Sequence, residues 1–320
     1  MPTKSIDLPT LIQHFSDENA CHAYLQALRW PEGPICPGRK HKDGSREKCG
    51  SERVVRLQKR RLFECHDCGY QFSTRVGTIF EDSKLPLWKW FLAVYMMVQS
   101  KKGISANQLK RMLGVSYKTA WYLCHRIRKA MEEDSPSWLK GTVEVDESFV
   151  GGKVRGRPKG HSDNWKNKVI VAAAVERGGK ARLRVVPNRT QRTLKKFIDK
   201  FVHDSAQAIY TDDHKGYANL GDADTTHTVV VKNPRKDGRR LRENQEWVSG
   251  QVHTNTVEGI FSLLDRSIIG AYHKVSKKHL SRYLNEVEWK YNNRENPYLF
   301  RDAILKLIEE DRLEYEKLTA

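Results

Sequence analysis

Hydrophobic and polar residues alternate along the segment "VEVDESFV", in which Val143 and Val145 alternate with Glu144 and Asp146. Side chains of a strand point alternately to its two faces, so this pattern predicts a strand with valines on one face and carboxylates on the other. The apolar runs that follow, the hairpin signal "RGGK" and later helical spacings predict the order β β β α β α β α. The sequence therefore predicts an α/β domain over residues 139–297, with a mixed sheet flanked by helices.

Helical periodicity precedes this domain in two places. Apolar residues at near-helical spacing predict one or two short helices within residues 9–29. Further on, Ser105 and Ser116 are suited to cap two helices and Gly114 is suited to end the first, which predicts a helix-turn-helix within residues 84–134. The basic residues of its second helix that suit phosphates and base edges are Lys118, Arg126 and Arg128. An ordinary helical hairpin with a charged, solvent-exposed face is the alternative.

Between these helical segments, four cysteines have the pattern of a metal site, namely Cys36, Cys49, Cys65 and Cys68. The second pair is a Cys-x-x-Cys, whereas twelve residues separate the first pair. Two cysteine pairs on facing hairpins form a tetrahedral zinc site, so a structural Zn²⁺ is predicted in a zinc ribbon over residues 31–80. His41 and His66 are competing ligands, and unpaired thiols are the alternative.

The composition is strongly basic, with 57 Lys and Arg against 39 Asp and Glu and a net charge of +18. A field of this sign concentrates polyanions, although a merely well-solvated basic protein would have it too. Two basic stretches, "KVRGRPKGHSDNWKNK" and "KNPRKDGRRLR", flank expected strands and favour phosphate contacts over solvated loops. Trp165 and Trp247, in or beside them, are suited to stack on unpaired bases or to pack. The basic residues expected to contact DNA here are Arg155, Arg157, Lys159, Arg235, Lys236, Arg239 and Arg240, with Arg266 further on.

Three acidic residues are placed where they could hold divalent cations. Asp146 lies on the first strand of the α/β domain, Asp212 ends the fourth, and Glu258 follows Asn255 by three residues on one face of a later helix. If the first and fourth strands are neighbours, the two aspartates converge, and Mg²⁺ or Mn²⁺ relieves their mutual repulsion. Such a trio suits phosphoryl transfer, with Asn255 as a further catalytic residue. The order of first strand, fourth strand and late helix is that of a ribonuclease H-like fold.

The chain resembles bacterial insertion-sequence DDE transposases of the ISXO2-like family in the segments "GTIFEDSKLPLWKWF", "KGISANQLKRMLGVSYKTAW", "VEVDESFVGGK", "YTDDHKGY" and "HTNTVEGIFSLLDRSIIGAYHKVSKKHLSRYLNEVEWKYNNR". The resemblance implies a zinc ribbon, a helical DNA-binding region and an acidic-triad domain that cuts and rejoins inverted-repeat DNA ends. It implies that Asp146, Asp212 and Glu258 form the triad, with Asn255 competing for the third position. One departure is Asp265, which stands where similar proteins usually have lysine.

Together these observations predict a metal-dependent DNA transposase that cleaves element ends and joins their 3′-hydroxyls to target DNA. A nuclease or resolvase without strand transfer and a DNA-binding regulator with an inactive catalytic domain are the alternatives. Double-stranded DNA is the expected partner, with a homo-oligomer on paired ends. No export signal follows Met1 and the apolar run 87–98 is too short to span a bilayer, so a cytoplasmic location at the bacterial nucleoid is expected. The expected segments are an N-terminal helical segment (1–30), the zinc ribbon (31–80), the helix-turn-helix region (84–134), the catalytic domain (139–297) and a C-terminal helix (298–320).

Overall fold

The computed structural model describes residues 6–41, 45–57, 60–133, 138–151, 168–218, 220, 226–230 and 252–320. The chain divides into two compact units, Met1–Met131 with Glu295–Ala320, and Glu132–Arg294. In chain order the described α-helices and β-strands are α1 (Leu8–Phe15), α2 (Glu18–Arg29), β1 (Val54–Leu57), β2 (Leu62–Cys65), β3 (Gln71–Phe72), α3 (Leu87–Gln99), α4 (Ala106–Leu113), α5 (Tyr117–Ala130), β4 (Thr142–Val150), β5 (Val169–Glu176), β6 (Ala181–Val186), α6 (Gln191–Phe201), β7 (Ala208–Asp212), β8 (Thr226–Val230), α7 (Asn255–Ser267), α8 (Leu280–Asn292), α9 (Leu299–Glu309) and α10 (Tyr315–Thr319).

Three short strands of the first unit form a small antiparallel sheet in the order β1-β2-β3. Val54 pairs with Cys65, and Phe63 pairs with Phe72. Trp30 packs edge-on against Phe63, with 5.4 Å between the ring centroids, and closes a small apolar core with Phe72. The hairpin expected beside the cysteines is therefore confirmed, and the strands fix the backbone from which the thiols project.

The helices α4 and α5 begin where the sequence predicts, and α4 ends at the predicted glycine. The Ser105 hydroxyl accepts a hydrogen bond from the Gln108 N–H at 3.1 Å, and the Ser116 hydroxyl accepts one from the Thr119 N–H at 3.1 Å. Gly114 ends α4 with φ of 60°, a left-handed conformation that costs a glycine little because it has no Cβ. These caps leave a short turn between the helices.

The C-terminal segment packs within the same unit as the N-terminal helices. Phe300 on α9 lies 6.0 Å from the Phe15 ring and 5.8 Å from the Phe91 ring, between centroids. The Ile79 N–H donates to the Leu307 carbonyl at 3.1 Å. The segment expected to be one C-terminal helix thus contains two, α9 and α10, and completes the core of the first unit. No helix within the described ranges is long and apolar enough to cross a membrane.

A five-stranded mixed sheet in the order β6-β5-β4-β7-β8 forms the centre of the second unit. β4 pairs antiparallel with β5 and parallel with β7, while β5–β6 is antiparallel and β7–β8 is parallel. The element order confirms the predicted alternation, with a single 3₁₀ turn at Lys215–Tyr217 where a helical piece was expected. The first and fourth strands of this unit are therefore neighbours, which is the condition for convergence of the two aspartates.

The two faces of β4 differ as the alternation predicts. Val143 and Val145 are fully buried in the cluster that includes the apolar face of α6. Asp146 pairs with Ala173, whose side chain belongs to the second cluster, packed against α7 and α8. Directly paired residues of an antiparallel ladder share a face, so the acidic face of β4 is the one covered by α7.

Candidate active site

Acidic side chains meet where β4 and β7 run side by side. The parallel register pairs Glu144 with Tyr210, so Asp146 and Asp212 follow at corresponding positions two residues further along. Carboxylate oxygens of Asp146, Glu147 and Asp212 all lie within 4.8 Å of one another. The expected convergence of the two aspartates is confirmed, while their role as metal ligands stays a prediction.

Local hydrogen bonds orient both aspartates. An Asp146 oxygen accepts from the Glu147 N–H at 2.8 Å, and an Asp212 oxygen accepts from the His214 N–H at 3.1 Å. Asp213, the neighbouring acid, is exposed. Carboxylate oxygens are the donors that Mg²⁺ and Mn²⁺ prefer, so this group fits a hard divalent cation in donor type and spacing.

Glu147 is a member of this group that is not among the predicted ligands. Its carboxylate accepts from the Arg189 guanidinium at 3.0 Å and from the Tyr217 hydroxyl at 2.6 Å. Burial, and then the negative charge of Glu147, strongly raise the pKa of Tyr217, so this phenol stays a hydrogen-bond donor. A signal was present, because the alternation of β4 places Glu147 on the valine face, where a carboxylate needs partners.

The predicted third ligand lies at the start of α7. Asn255 and Glu258 are both exposed, and Glu258 accepts from the Thr254 hydroxyl at 3.2 Å. The carboxylate group described above does not include Glu258, so its place as third ligand stays a prediction. The first turn of α7 is nevertheless bonded to β4, because the Glu144 carboxylate accepts from the Thr256 N–H at 2.7 Å.

The four predicted zinc ligands come together in the small sheet of the first unit. The sulfurs of Cys36, Cys49, Cys65 and Cys68 lie within 4.8 Å of one another. The Cys36–Cys68 and Cys49–Cys65 sulfur distances are 3.7 and 3.8 Å. Zn–S bonds of about 2.3 Å in a tetrahedron require sulfurs about 3.8 Å apart, so the group fits Zn²⁺. His41 instead faces Glu47, with 3.7 Å between nitrogen and oxygen, and neither histidine belongs to the group.

Electrostatics in the cysteine group favour one thiolate. Burial raises the pKa of Cys65, but backbone N–H donors at Cys68 and Asp67 lower it by more, to about 6. Cysteine binds zinc as the thiolate, so the lowered pKa favours the metal-binding form of Cys65 at neutral pH.

Comparison with known proteins places this arrangement in a family. Residues 138–292 match the model of the ISXO2-like transposase domain, and residues 16–71 match the transposase zinc-ribbon domain. The chain is 31% identical over 291 residues to an uncharacterized protein in transposable element ISH50 of Halobacterium salinarum, covering 85% of this chain and 90% of that protein. The chain belongs to the ISXO2-like transposase family. Both acidic strands and α7 fall within the transposase domain, and the four cysteines fall within the zinc-ribbon domain, which supports a structural Zn²⁺.

The basic residues expected to bind DNA in this transposase-family chain differ in their exposure to solvent. Lys118 and Arg266 are exposed, with the Lys118 ammonium 4.3 Å above the Tyr315 ring. Arg126 and Arg128 are buried, with 4% and 2% exposure, and this argues against the predicted phosphate contacts. Helical spacing shows which residues share a face, but it did not show that two arginines of α5 face the protein interior. Outside the described residues lie Arg155, Arg157, Lys159, Trp165, Arg235, Lys236, Arg239, Arg240 and Trp247.

Arg126 has structural partners instead. Its guanidinium donates to the carbonyls of Ile79 and Glu81, and it lies 4.8 Å above the Trp90 ring. A buried guanidinium bonded in this way ties α5 to the segment before α3.

Proposed function

We propose that this protein is a DNA transposase that binds the inverted-repeat ends of an insertion sequence, cleaves them by metal-dependent phosphodiester hydrolysis and joins their 3′-hydroxyls to target DNA. The observation that supports this most directly is the meeting of Asp146 and Asp212 on adjacent parallel strands of a transposase-family domain. The mixed sheet, with its acidic strands neighbouring and α7 packed on the acidic face of β4, further supports a ribonuclease H-like fold.

The residues have distinct roles in this proposal. Asp146 and Asp212 hold the divalent cation, and Glu258 completes the ligand set. The bound cation would activate the attacking oxygen and stabilise the leaving oxygen of an in-line displacement. Glu147, paired with Arg189 and hydrogen-bonded by Tyr217, fixes β4 beside Asp146.

Asn255 and the first unit position the reacting groups and the DNA. Asn255 shares a helix face with Glu258 and is suited to orient a ligand or the attacking water through a hydrogen bond. The zinc ribbon and the capped pair α4–α5, as a helix-turn-helix, bind the element end. Lys118, Arg266 and the two basic stretches supply phosphate contacts, in keeping with the net charge of +18.

The experiment is a cleavage and joining assay with Mg²⁺ and duplexes taken from the genomic flanks of the coding sequence. We expect nicking at the 3′ end of the element and, with a target plasmid present, joined product. Cleavage without joined product would support the nuclease or resolvase alternative. Specific binding of the flanks with neither product would support the DNA-binding regulator.

A further inference from the structure

Glu144 is a fully buried carboxylate that neither the metal site nor the apolar core explains. It lies on β4 with 0% exposure, two residues before Asp146. An ionised group in such a place is costly unless every lone pair is satisfied. Its two oxygens are in fact divided between two sets of donors, and each set has a different structural consequence.

One oxygen of Glu144 caps α7 from outside the helix. Oε2 accepts from the Thr256 N–H at 2.7 Å and from the Val257 N–H at 3.1 Å. These are first-turn amides, which have no partner within the helix itself. The residue before α7, Thr254, provides no side-chain cap. A carboxylate at this end also interacts favourably with the helix dipole. The start of α7 is therefore held by a residue of the sheet.

The other oxygen of Glu144 binds side chains that surround the same point. Oε1 accepts from the Arg177 Nε at 2.6 Å and from the Thr256 hydroxyl at 2.9 Å. Arg177 in turn donates to the His253 carbonyl at 3.0 Å and contacts the His253 Nδ1 at 2.9 Å. The Arg177 guanidinium also lies 4.9 Å above the Tyr210 ring on β7. The chain entering α7, the end of β5 and the strand that carries Asp212 thus share one network.

We propose that Glu144 is a positioning residue. By binding the first turn of α7, it fixes where this helix starts relative to β4, so that Glu258 faces the Asp146–Asp212 pair. The spacing supports this role on both sides of the contact. Asp146 lies two residues beyond Glu144 on the same face of the strand, and Glu258 lies in the same first turn of α7 as the two residues whose N–H groups bind Glu144. Fixing Glu144 to Thr256 therefore fixes the two acidic residues relative to each other. The inference rests on the proposed function for the role of Glu258 as a metal ligand.

The test compares Glu144→Gln with a matched buried glutamate of the same unit. Glu144→Gln keeps the shape but removes the charge and one acceptor. Glu288→Gln is the control, because Glu288 is 2% exposed, accepts from Leu183 N–H at 2.7 Å and pairs with Arg182 and Arg184. Both variants lose a buried carboxylate that is paired with arginine, but only Glu144 contacts the start of α7.

Two readouts on the full chain separate positioning from stability. Amide hydrogen exchange, without DNA or metal, should accelerate in peptides covering 254–260 for Glu144→Gln and stay unchanged there for Glu288→Gln. In the cleavage assay, Glu144→Gln should raise the half-saturating Mg²⁺ concentration about tenfold or more, as loss of a residue supporting a ligand does. Glu288→Gln should leave it within about twofold.

A double variant and a milder variant complete the design. If Glu144 acts through Glu258, then adding Glu144→Gln to Glu258→Gln should cause less than about a twofold further loss of cleavage. Thr256→Val removes only the hydroxyl donor to Oε1. It should therefore change hydrogen exchange and the half-saturating Mg²⁺ concentration in the same direction as Glu144→Gln, but by a smaller amount. If Glu144→Gln does not fold, Thr256→Val is used in its place.

Each outcome has a definite meaning. Unchanged exchange in 254–260, or a half-saturating Mg²⁺ concentration equal to that of Glu288→Gln, overturns the proposal. Full additivity in the double variant also overturns it. Absence of cleavage by the wild-type chain instead contradicts the proposed function. In that case Mn²⁺ titration by calorimetry tests the positioning role, with weaker binding expected for Glu144→Gln than for Glu288→Gln.

Discussion

At the scale of single residues, three acidic residues that are close together in the sequence have different binding partners. Glu144 binds a helix start, Asp146 faces Asp212, and Glu147 is paired with an arginine. Three carboxylates within four residues thus have three different sets of partners. We expect substitutions of each to fail in different ways, which makes the assignment testable one residue at a time.

We predict that Asp146→Asn and Asp212→Asn each abolish Mg²⁺-dependent cleavage while duplex binding stays nearly unchanged. Each change removes charge that compensates the cation and leaves phosphate contacts in place. Asp213→Asn is the matched control, because Asp213 adjoins Asp212 but is exposed and outside the carboxylate group, so it should be much milder. Gel cleavage and binding assays check both parts, and normal cleavage by either variant would show that the site is wrongly assigned.

We predict that Glu258→Gln reduces cleavage at least about a hundredfold and that Asn255→Ala reduces it less. A carboxylate offsets positive charge of bound cations, whereas an amide offers one neutral oxygen. Single-turnover cleavage rates at saturating Mg²⁺ measure both effects. Equal or greater loss in Asn255→Ala would make Asn255 the third position.

At the scale of elements, the alternation of β4 and the caps of α4 and α5 could be predicted because each depends on neighbours in the sequence. The adjacency of β4 and β7 could be stated only as a condition, since strand order is set by tertiary packing. The partners of Glu147, Arg189 and Tyr217, lie 42 and 70 positions away along the chain. No local pattern connects them, so this part of the site required the structure.

We predict one Zn²⁺ per chain, lost in a Cys65→Ser, Cys68→Ser double variant. The four sulfurs have tetrahedral spacing, and the metal should contribute folding free energy to the β1-β2-β3 sheet. Cys21→Ala is the control, because Cys21 is buried outside the group and burial raises its pKa to about 12. Elemental analysis measures the metal, and stoichiometric zinc in the double variant would contradict the assignment.

We predict that α5 contains both a structural and a DNA-binding cation. Arg126→Gln should lower the unfolding temperature, because it removes buried hydrogen bonds to two carbonyls, and should leave the salt dependence of DNA binding unchanged. Lys118→Gln should leave the unfolding temperature unchanged and reduce the salt slope by about one phosphate contact. Thermal unfolding and binding at several salt concentrations distinguish them, and the reverse pattern would restore Arg126 as a contact residue.

At the scale of the whole molecule, the two compact units should respond separately to loss of core packing. Phe300→Ala removes a ring buried against Phe15 and Phe91 in the first unit and should cost about 3–5 kcal/mol there. Phe197→Ala is the counterpart in the second unit, where this ring is 5% exposed beneath the sheet. Hydrogen exchange should accelerate in α1–α3 for the first variant and in α6 for the second. Acceleration in both units by either variant would count against the division.

The division of the chain also has a consequence for synthesis on the ribosome. Residues 132–294 are translated before Phe300 and Leu307 emerge, so the second unit has its whole core available while the first unit still lacks part of its own. A nascent or prematurely terminated product that stops near Arg294 would therefore contain every acidic residue of the site but lack the segment whose Asp311 carbonyl accepts from Lys129 of α5 at 3.0 Å. Since α4 and α5 are the helices proposed to recognise element ends, we expect recognition to follow translation of residues 295–320, and products that stop near Arg294 to compete poorly for the same DNA.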